Sequence, residues 1–386
     1  MKVSIDRSMF LPKMFYFFQY GAMVSLGPYL AIYYQSLGLV GSQIGLLASI
    51  PALMMVIGSP AWGALADATR RTRLLLGIAI AVTMSAVLAI SFTTTFLLLI
   101  PLVFLYAFNN SPIIPLVDST VMDMLGERRT QYGRQRLWGA VGWGVTAPVV
   151  GWLIERNGLH WSFYAFLVDT FVVLLVVLQL PVSNVSLGGR FWDGIRQLLS
   201  DRRWMVFLGV AFISGLGGAS INNFLFLHLK SLGASEGLMG LFLTAATLSE
   251  LPVFFFSDRM LRRWGARNLL TLSLFAFVLR ALAYAFIPSA WLSLPIQLLH
   301  GLTFSITWAA GSTYARQIAP PGMGATAQSL FIATIFGLGG TAGALLSGTL
   351  YQAVGSARMY FWMAFIILIA AIAFLILVRN QREVTG

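Results

Sequence analysis

The sequence GWGVTA at residues 142–147 recurs as GLGGTA at residues 337–342, and the two copies are 195 residues apart in a chain of 386. A second pair has the same separation, because SLG occurs at 36–38 and again at 231–233. Gly and Leu are common in this chain, so either match alone is weak evidence. Two matches that share one separation, close to half the chain length, predict two sequential repeats.

The composition points to a membrane protein. Hydrophobic residues make up 58% of the chain and charged residues only 10%, and the mean hydropathy is +0.82. Soluble domains contain about 25% charged residues, so a cytoplasmic enzyme, a nucleic-acid-binding protein and a disordered scaffold are poor fits. The chain has no cysteine, which excludes disulfides, thiolate nucleophiles and thiolate metal sites. We therefore expect an integral membrane protein with several spans.

Membrane-spanning helices need about 20 apolar residues each to cross a hydrocarbon core of roughly 30 Å. Twelve runs of about this length occur, at 10–34, 43–66, 73–92, 96–122, 134–154, 161–181, 204–228, 237–257, 268–288, 291–316, 326–350 and 358–378. They are too long for barrel strands, so the predicted fold is all-α. Six spans separate the repeats, which gives both halves the same orientation. The predicted organisation is two six-helix bundles, 1–181 and 204–386, joined by a cytoplasmic linker at 182–203.

Basic residues concentrate in alternate connections between the spans. On one side lie Arg70, Arg71, Arg73, Arg128, Arg129, Arg190, Arg196, Arg202, Arg203, Arg262, Arg263 and Arg267. The connections on the other side carry only Arg156, Lys230 and Arg358. Because basic loops stay in the cytoplasm, we expect both termini there, in a bacterial cytoplasmic (inner) membrane. The net charge of +12 is then a signal of topology and not of nucleic-acid binding.

Several stretches resemble a known family. Residues 63–71 have the pattern GxxxDxxRR, and residues 132–143 read YGRQRLWGAVGW. With the twelve spans and the repeat, the first stretch resembles the major facilitator superfamily. The second resembles the fifth span of lactose-permease-like proton symporters and their phenylpropionate and nucleoside permease relatives. Glu250, Arg280 and the segment LHGLTF at 299–304 resemble later spans of the same group. The resemblance implies alternating-access symport of a small organic solute with protons, around a central cavity.

Ionisable residues inside a membrane cost roughly 2.5–3.5 kcal/mol each on insertion scales, so each is a functional hypothesis. Asp118 precedes Arg136 by 18 residues, the spacing of the carboxylate and arginine that hold the sugar in lactose permease. By resemblance, Arg136 would hydrogen-bond the substrate and Trp143, on the same helix face, would stack on its ring. A salt bridge that only joins two helices is the alternative. Weaker binding candidates, on helices that line the family's cavity, are Asn110, Asn222 and Trp308.

The resemblance assigns proton coupling to Glu250, Arg280 and His300. A carboxylate between apolar walls alternates between protonated and charged forms, and histidine titrates near neutral pH. Thr303 stands where the symporters have a carboxylate one turn after the histidine, so the proton passes to Glu250 or Asp118, or coupling is lost. We expect packing or contact with water for Asp169. Predicted gate residues, at the ends of spans two and eight, are Asp67, Arg70, Arg71, Asp258, Arg262 and Arg263.

The charges predicted inside the membrane favour a neutral or cationic solute, or protons. Two arginines, at 136 and 280, face three acids, at 118, 169 and 250, which leaves one net negative charge. We therefore expect a neutral sugar, glycoside or nucleoside, with an aromatic carboxylate as the alternative because relatives with the same arginine motif accept one. A drug exporter, and a receptor or lipid-handling protein that transports nothing, stay open. We expect no enzyme activity, cofactor or metal, and a monomer whose partners are the solute, protons and the lipid bilayer.

Overall fold

The computed structural model of the chain describes residues 9–181, 198–320 and 323–383. Every regular element in these ranges is helical, which confirms the predicted all-α class for this part of the chain. In chain order the helices are α1 (Phe10–Ser36), α2 (Gly41–Thr69), α3 (Thr72–Phe92), α4 (Phe96–Asn110), α5 (Ile113–Leu125), α6 (Tyr132–Asn157), α7 (Trp161–Gln179), α8 (Arg202–Ser231), α9 (Glu236–Phe286), α10 (Ser293–Gln297), α11 (Ile306–Ile318), α12 (Gly324–Ile332) and α13 (Gly340–Glu383). Short 3₁₀ turns lie at Gly126–Gln131 and Ala290–Leu292, and π turns at Gly301–Ser305 and Ala333–Gly339.

Eight stretches of the described residues are long and apolar enough to cross a membrane. They are α2, α3, Phe96–Arg128, α6, α7, α8, α9 and Thr326–Ile376. The last two have 51 residues each, and they are interrupted at Gly265 and Gly355, where φ is positive. Helix α1 is not among the eight, because its five tyrosines and Gln19 lower its hydropathy. The chain is thus a multi-pass membrane protein, while the number of twelve spans stays a prediction.

The two SLG copies end helices in the same way. Helix α1 ends at Ser36 and α8 at Ser231, and two residues later Gly38 and Gly233 have φ values of 81° and 80°. Many helices end with a left-handed residue just past the last turn, and glycine adopts that conformation without strain. The repeated tripeptide therefore corresponds to a repeated local structure.

Glycines of the second repeated motif bring helices into close contact. A Cβ at Gly142 in α6 would overlap the carbonyl oxygen of Phe17 in α1, and a Cβ at Gly339 would overlap that of Phe212 in α8. Only glycine permits such an approach of two backbones. The first of these contacts fixes α6 against α1, and both helices carry residues of the first cluster described below.

The chain divides into two compact units. The first comprises Met1–Leu37, Met54–Gly188 and Ser235–Thr244, and the second Gly38–Leu53, Gly189–Ala234 and Ala245–Gly386. The first core includes the buried residues Phe15, Tyr16, Leu76, Val117 and Val173. The second includes Trp204, Phe207, Leu274, Ala310 and Phe331. Residues 182–197 of the predicted linker, with Arg190 and Arg196, lie outside the described residues, so the two-bundle division stays a prediction.

Candidate functional site

An ion pair joins α5 and α6 in the first unit. Nη1 of Arg136 donates to Oδ2 of Asp118 at 3.1 Å, and the side chains are 38% and 22% exposed, respectively. The hydroxyl of Tyr16, in α1, donates to the other carboxylate oxygen at 2.6 Å. The spacing of 18 residues thus brings the predicted pair into contact, and each member stays partly accessible.

Two further tyrosines surround the guanidinium of Arg136. Nη1 also donates to the hydroxyl of Tyr132 at 2.9 Å, and Nη2 donates to the hydroxyl of Tyr20 at 3.1 Å. The Tyr20 ring lies against Gly139, where a Cβ would come within 2.7 Å of it, so glycine makes room for this ring beside α6. A hydroxyl that accepts from arginine keeps its own hydrogen to donate. We call Asp118, Arg136, Tyr16, Tyr20 and Tyr132 the first cluster.

Trp143 lies two turns after Arg136 on α6 and is half-buried. Among the residues that the structure describes, its indole has no hydrogen-bond partner and no ring neighbour. An aromatic ring with a face left open can stack on a ligand ring. The predicted stacking role of Trp143 is compatible with this position and stays a prediction.

A chain of polar side chains forms the second cluster, in the second unit. His300 lies between Glu250 and Arg280, with Nε2 3.0 Å from Oε1 of Glu250 and Nδ1 3.0 Å from Nη1 of Arg280. Arg280 also donates to Oγ1 of Thr303 at 3.1 Å and to Oε1 of Gln297 at 2.6 Å. It is only 3% exposed. His300 therefore contacts both of the other residues predicted for coupling, and it links Glu250 to Arg280.

The partners of His300 determine where its proton lies. Arginine has only donors, so Nδ1 of His300 must accept the hydrogen bond from Arg280. The other ring nitrogen, Nε2, then carries the hydrogen and donates it to Glu250. A second proton on Nδ1 would point at the N–H of Arg280, so this arrangement keeps His300 neutral. The cluster holds a neutral imidazole between a guanidinium and a carboxylate.

A π bulge in the helix positions His300. The backbone stays right-handed helical at Leu298 and His300, and the π turn Gly301–Ser305 follows His300 directly. The backbone N–H of Gly301 donates to Oγ of Ser249 at 3.0 Å, and Ser249 precedes Glu250 in α9. The imidazole also stacks on the ring of Phe304, with centroids 5.5 Å apart. These contacts hold His300 beside Glu250.

Comparison with known proteins identifies the family. Residues 10–363 match the MFS_1 like family. The chain belongs to this family. It lies within the major facilitator superfamily of transporters, so the resemblance seen in the sequence is confirmed.

Two relatives and one solved structure are similar to this chain over most of its length. It is 28% identical to the maltose permease of Geobacillus stearothermophilus over 372 residues, which cover 96% of this chain and 94% of the relative. It is 24% identical to the probable 3-phenylpropionic acid transporter of Escherichia coli (strain K12), with 92% and 93% covered. The crystal structure of nucleoside transporter NupG superposes with a TM-score of 0.84 at 20% identity, over 95% of this chain and 98% of that one. The MFS_1-like chain is thus a transporter of the major facilitator type and not an enzyme.

Three weaker binding candidates do not join either cluster. Asn110 is half-buried and Asn222 exposed, and neither has a hydrogen-bond partner among the described residues. Trp308 packs on Phe331 and Phe336, with ring centroids 6.4 and 5.8 Å away, beside the second core. Trp308 therefore has a packing role, and binding by these three residues stays a prediction.

The predicted gate residues lie near helix ends. Asp67 is half-buried in the last turn of α2, and Arg70 and Arg71 follow exposed. Arg70 has a positive φ of 54°, which is uncommon for a residue with a side chain and marks the sharp turn into α3. The corresponding residues Asp258, Arg262 and Arg263 are exposed on α9, just before its interruption at Gly265. Their role as gates stays a prediction.

Sequence reasoning missed two members of the clusters. Tyr132 lies one turn before Arg136 inside the quoted motif, and that spacing could have identified it as a partner. Gln297 precedes His300 by three residues, but no sequence pattern shows that Arg280 contacts both side chains. Within the described residues, no group of three or more metal-binding side chains occurs.

Proposed function

We propose that this transporter is a proton-coupled symporter of a small neutral solute that carries hydroxyl groups, with sugars, glycosides and nucleosides favoured. The observation that supports this choice is the neutralised Asp118–Arg136 pair. A neutral solute can donate to the carboxylate, which has lone pairs beyond the two that are used. It can accept from Arg136 or Tyr20 without adding charge. The maltose permease among the relatives agrees with this class.

An aromatic carboxylate is the second candidate. The relative named as a probable 3-phenylpropionic acid transporter and the open ring of Trp143 favour it. A solute carboxylate would have to compete with Asp118 for Arg136. Arg280 cannot replace it, because that side chain is buried and both its Nη groups donate to protein acceptors. This candidate therefore requires a proton on Asp118.

Glu250 is the proposed proton carrier. His300 stays neutral as long as it accepts from Arg280, and Thr303 is fixed as a further acceptor of that arginine. Protonation of Glu250 would remove the negative charge that balances Arg280 across the imidazole. A buried guanidinium without a counter-charge is costly, so the charge on Glu250 would decide between two arrangements of the second cluster. The departure at Thr303 then leaves coupling intact.

The proposal extends to membrane placement. We propose a single copy in a bacterial cytoplasmic membrane, with both termini in the cytoplasm. The support is the concentration of arginines in alternate connections, since cytoplasmic loops carry an excess of basic residues.

Flux measurements in proteoliposomes test the proposal. Maltose, uridine and 3-phenylpropionate are offered one at a time, and both counterflow exchange and accumulation under an inward pH gradient are recorded. We expect maltose or uridine to be exchanged and accumulated, and Glu250→Gln to retain exchange but to accumulate markedly less solute. Flux of 3-phenylpropionate alone would favour the second candidate. Binding in a thermal-shift assay without any flux would instead support a receptor or lipid-handling protein.

A further inference from the structure

Asp169 is a carboxylate in the middle of α7 that neither cluster uses. Within the described part of the chain, its one hydrogen bond comes from Oγ of Ser25, 3.5 Å from Oδ2. The same hydroxyl lies 2.8 Å from the carbonyl oxygen of Gly21, and one O–H hydrogen cannot serve both acceptors fully. Among the described residues, Asp169 forms no ion pair. A charged carboxylate in this place is therefore poorly compensated.

The chain nevertheless builds a niche for this side chain. A Cβ at Gly21 would lie 3.1 Å from Oδ2 of Asp169 and 3.0 Å from Oγ1 of Thr146. The carboxylate and the hydroxyl of Thr146 thus both border the space that the missing Cβ leaves, where α1, α6 and α7 meet. Thr146 belongs to the repeated GxGxTA motif. Glycine at position 21 leaves room for the carboxyl group beside α1, with the hydroxyl of Ser25 as its donor.

Among the residues that the structure describes, no positive charge lies near this niche. The helices packed against α7 are α1, α3, α6 and, through the contact of Tyr106 with Phe166, α4. The titratable and charged residues on these five helices, besides Asp169, are Lys13, Tyr16, Tyr20, Tyr29, Tyr33, Tyr34, Arg73, Tyr106, Tyr132, Arg134, Arg136, Glu155, Arg156 and Tyr164. At 1.5 Å per residue, Lys13 lies about 12 Å along α1 from Gly21, and Arg136 about 15 Å along α6 from Thr146. Arg73 donates to the carbonyl oxygen of Leu180, beyond the end of α7.

A carboxylate without a cation in an apolar region is much more stable when protonated. We infer that Asp169 is a second proton-binding site of the transport cycle, separate from Glu250, and this inference rests on the proposed function. The step is reversible: a proton from water bonds to one carboxylate oxygen and leaves by the same bond. No other reactant is needed.

The niche is connected to the first cluster through α1. Gly21 and Ser25 follow Tyr16 and Tyr20 on the same helix, and the two tyrosines bind Asp118 and Arg136. A change of charge at Asp169 acts on the contact between α1, α6 and α7 that positions both tyrosines. Proton binding at Asp169 therefore alters the geometry around the solute without touching it.

Reversal measurements test this inference. Proteoliposomes are held at zero membrane potential with a pH difference of about one unit, and the solute concentration ratio at which net flux reverses is determined. Because one proton moving down one pH unit corresponds to about tenfold, two coupled protons predict a ratio of roughly 100 in the wild type. Asp169→Asn, an uncharged mimic of the acid, should reverse near 10. The control Asp123→Asn, near the end of α5 and in neither cluster nor the niche, makes the same exchange of a carboxylate for an amide and should reverse at the wild-type ratio.

A reversal ratio of Asp169→Asn equal to that of the wild type would overturn the inference. A wild type whose reversal ignores the pH gradient would overturn the proposed function instead. Labelling of the wild type then tests Asp169 alone and needs no variant that folds. Dicyclohexylcarbodiimide reacts with protonated carboxyl groups in apolar regions, and peptide mass spectrometry should find it on Asp169, decreasingly as the pH rises. An unlabelled Asp169 at every pH contradicts the inference.

Discussion

Replacing Asp118 by asparagine tests the first cluster most sharply. The substitution keeps the size of the side chain but removes its charge and leaves one acceptor oxygen in place of two. The carboxylate now accepts from Tyr16 at 2.6 Å and from Arg136 at 3.1 Å, so one of these donors loses its acceptor. The guanidinium of Arg136 also loses its counter-charge.

The expected loss of affinity follows from the hydrogen bond that the solute would donate to the charged Asp118 carboxylate. A hydrogen bond to a charged group contributes about 1.5–3 kcal/mol, so we expect solute affinity to fall roughly 10- to 150-fold. Both side chains are partly exposed, so the loss of stability should be about 1–2 kcal/mol, below the cost of breaking a fully buried pair.

Calorimetric titration of purified protein with the solute found in the flux panel measures this loss. The control Tyr16→Phe removes one donor but leaves the charge and both oxygens of Asp118, so its affinity should fall less than that of Asp118→Asn. Both variants should elute as the wild type does in size-exclusion chromatography. Wild-type affinity in Asp118→Asn would refute the assignment of the ion pair to the solute site.

Three further predictions concern other parts of the chain. His300→Gln keeps one donor and one acceptor, so this variant should retain accumulation under a pH gradient in the same flux assay. Loss of accumulation in this variant would show instead that His300 itself carries the proton. The lysine of Arg280→Lys lacks the planar guanidinium that donates to His300, Thr303 and Gln297 at once. Accumulation by this variant should therefore fall while exchange persists. Gly142→Ala must push α6 away from Phe17 and should cost at least about 1–3 kcal/mol. In thermal unfolding, Gly218→Ala, with nothing within 4 Å of its Cβ, should be neutral or stabilising, and equal melting temperatures of the two variants would contradict the packing.

Parts of the fold and of the first cluster could be read from the sequence because they depend on local patterns. The hydropathy runs predict membrane helices, and the spacing of Asp118 and Arg136 predicts a pair that is found at 3.1 Å. The SLG copies predict equivalent positions, which both end helices with a left-handed glycine.

Other features depend on contacts between distant segments, which spacing does not encode. The hydroxyl of Tyr20 reaches Arg136 across 116 residues because Gly139 makes room for its ring. The neutral state of His300 depends on which of its nitrogens faces Arg280, and that is fixed by contacts with Arg280 and Glu250 from other segments of the chain. No sequence pattern assigns a partner to Asp169, and its proposed role rests on the niche beside Gly21 in the structure.

Cotransport of a neutral solute with protons is tested most directly by the internal pH of proteoliposomes that hold the purified protein. A pH-sensitive dye is trapped inside, and maltose, uridine or 3-phenylpropionate is added outside, with empty liposomes as the control because weak acids cross bilayers unaided. We expect acidification that depends on the protein, follows maltose or uridine, and is reduced in Glu250→Gln. Entry of either neutral solute without any change of internal pH would contradict cotransport with protons.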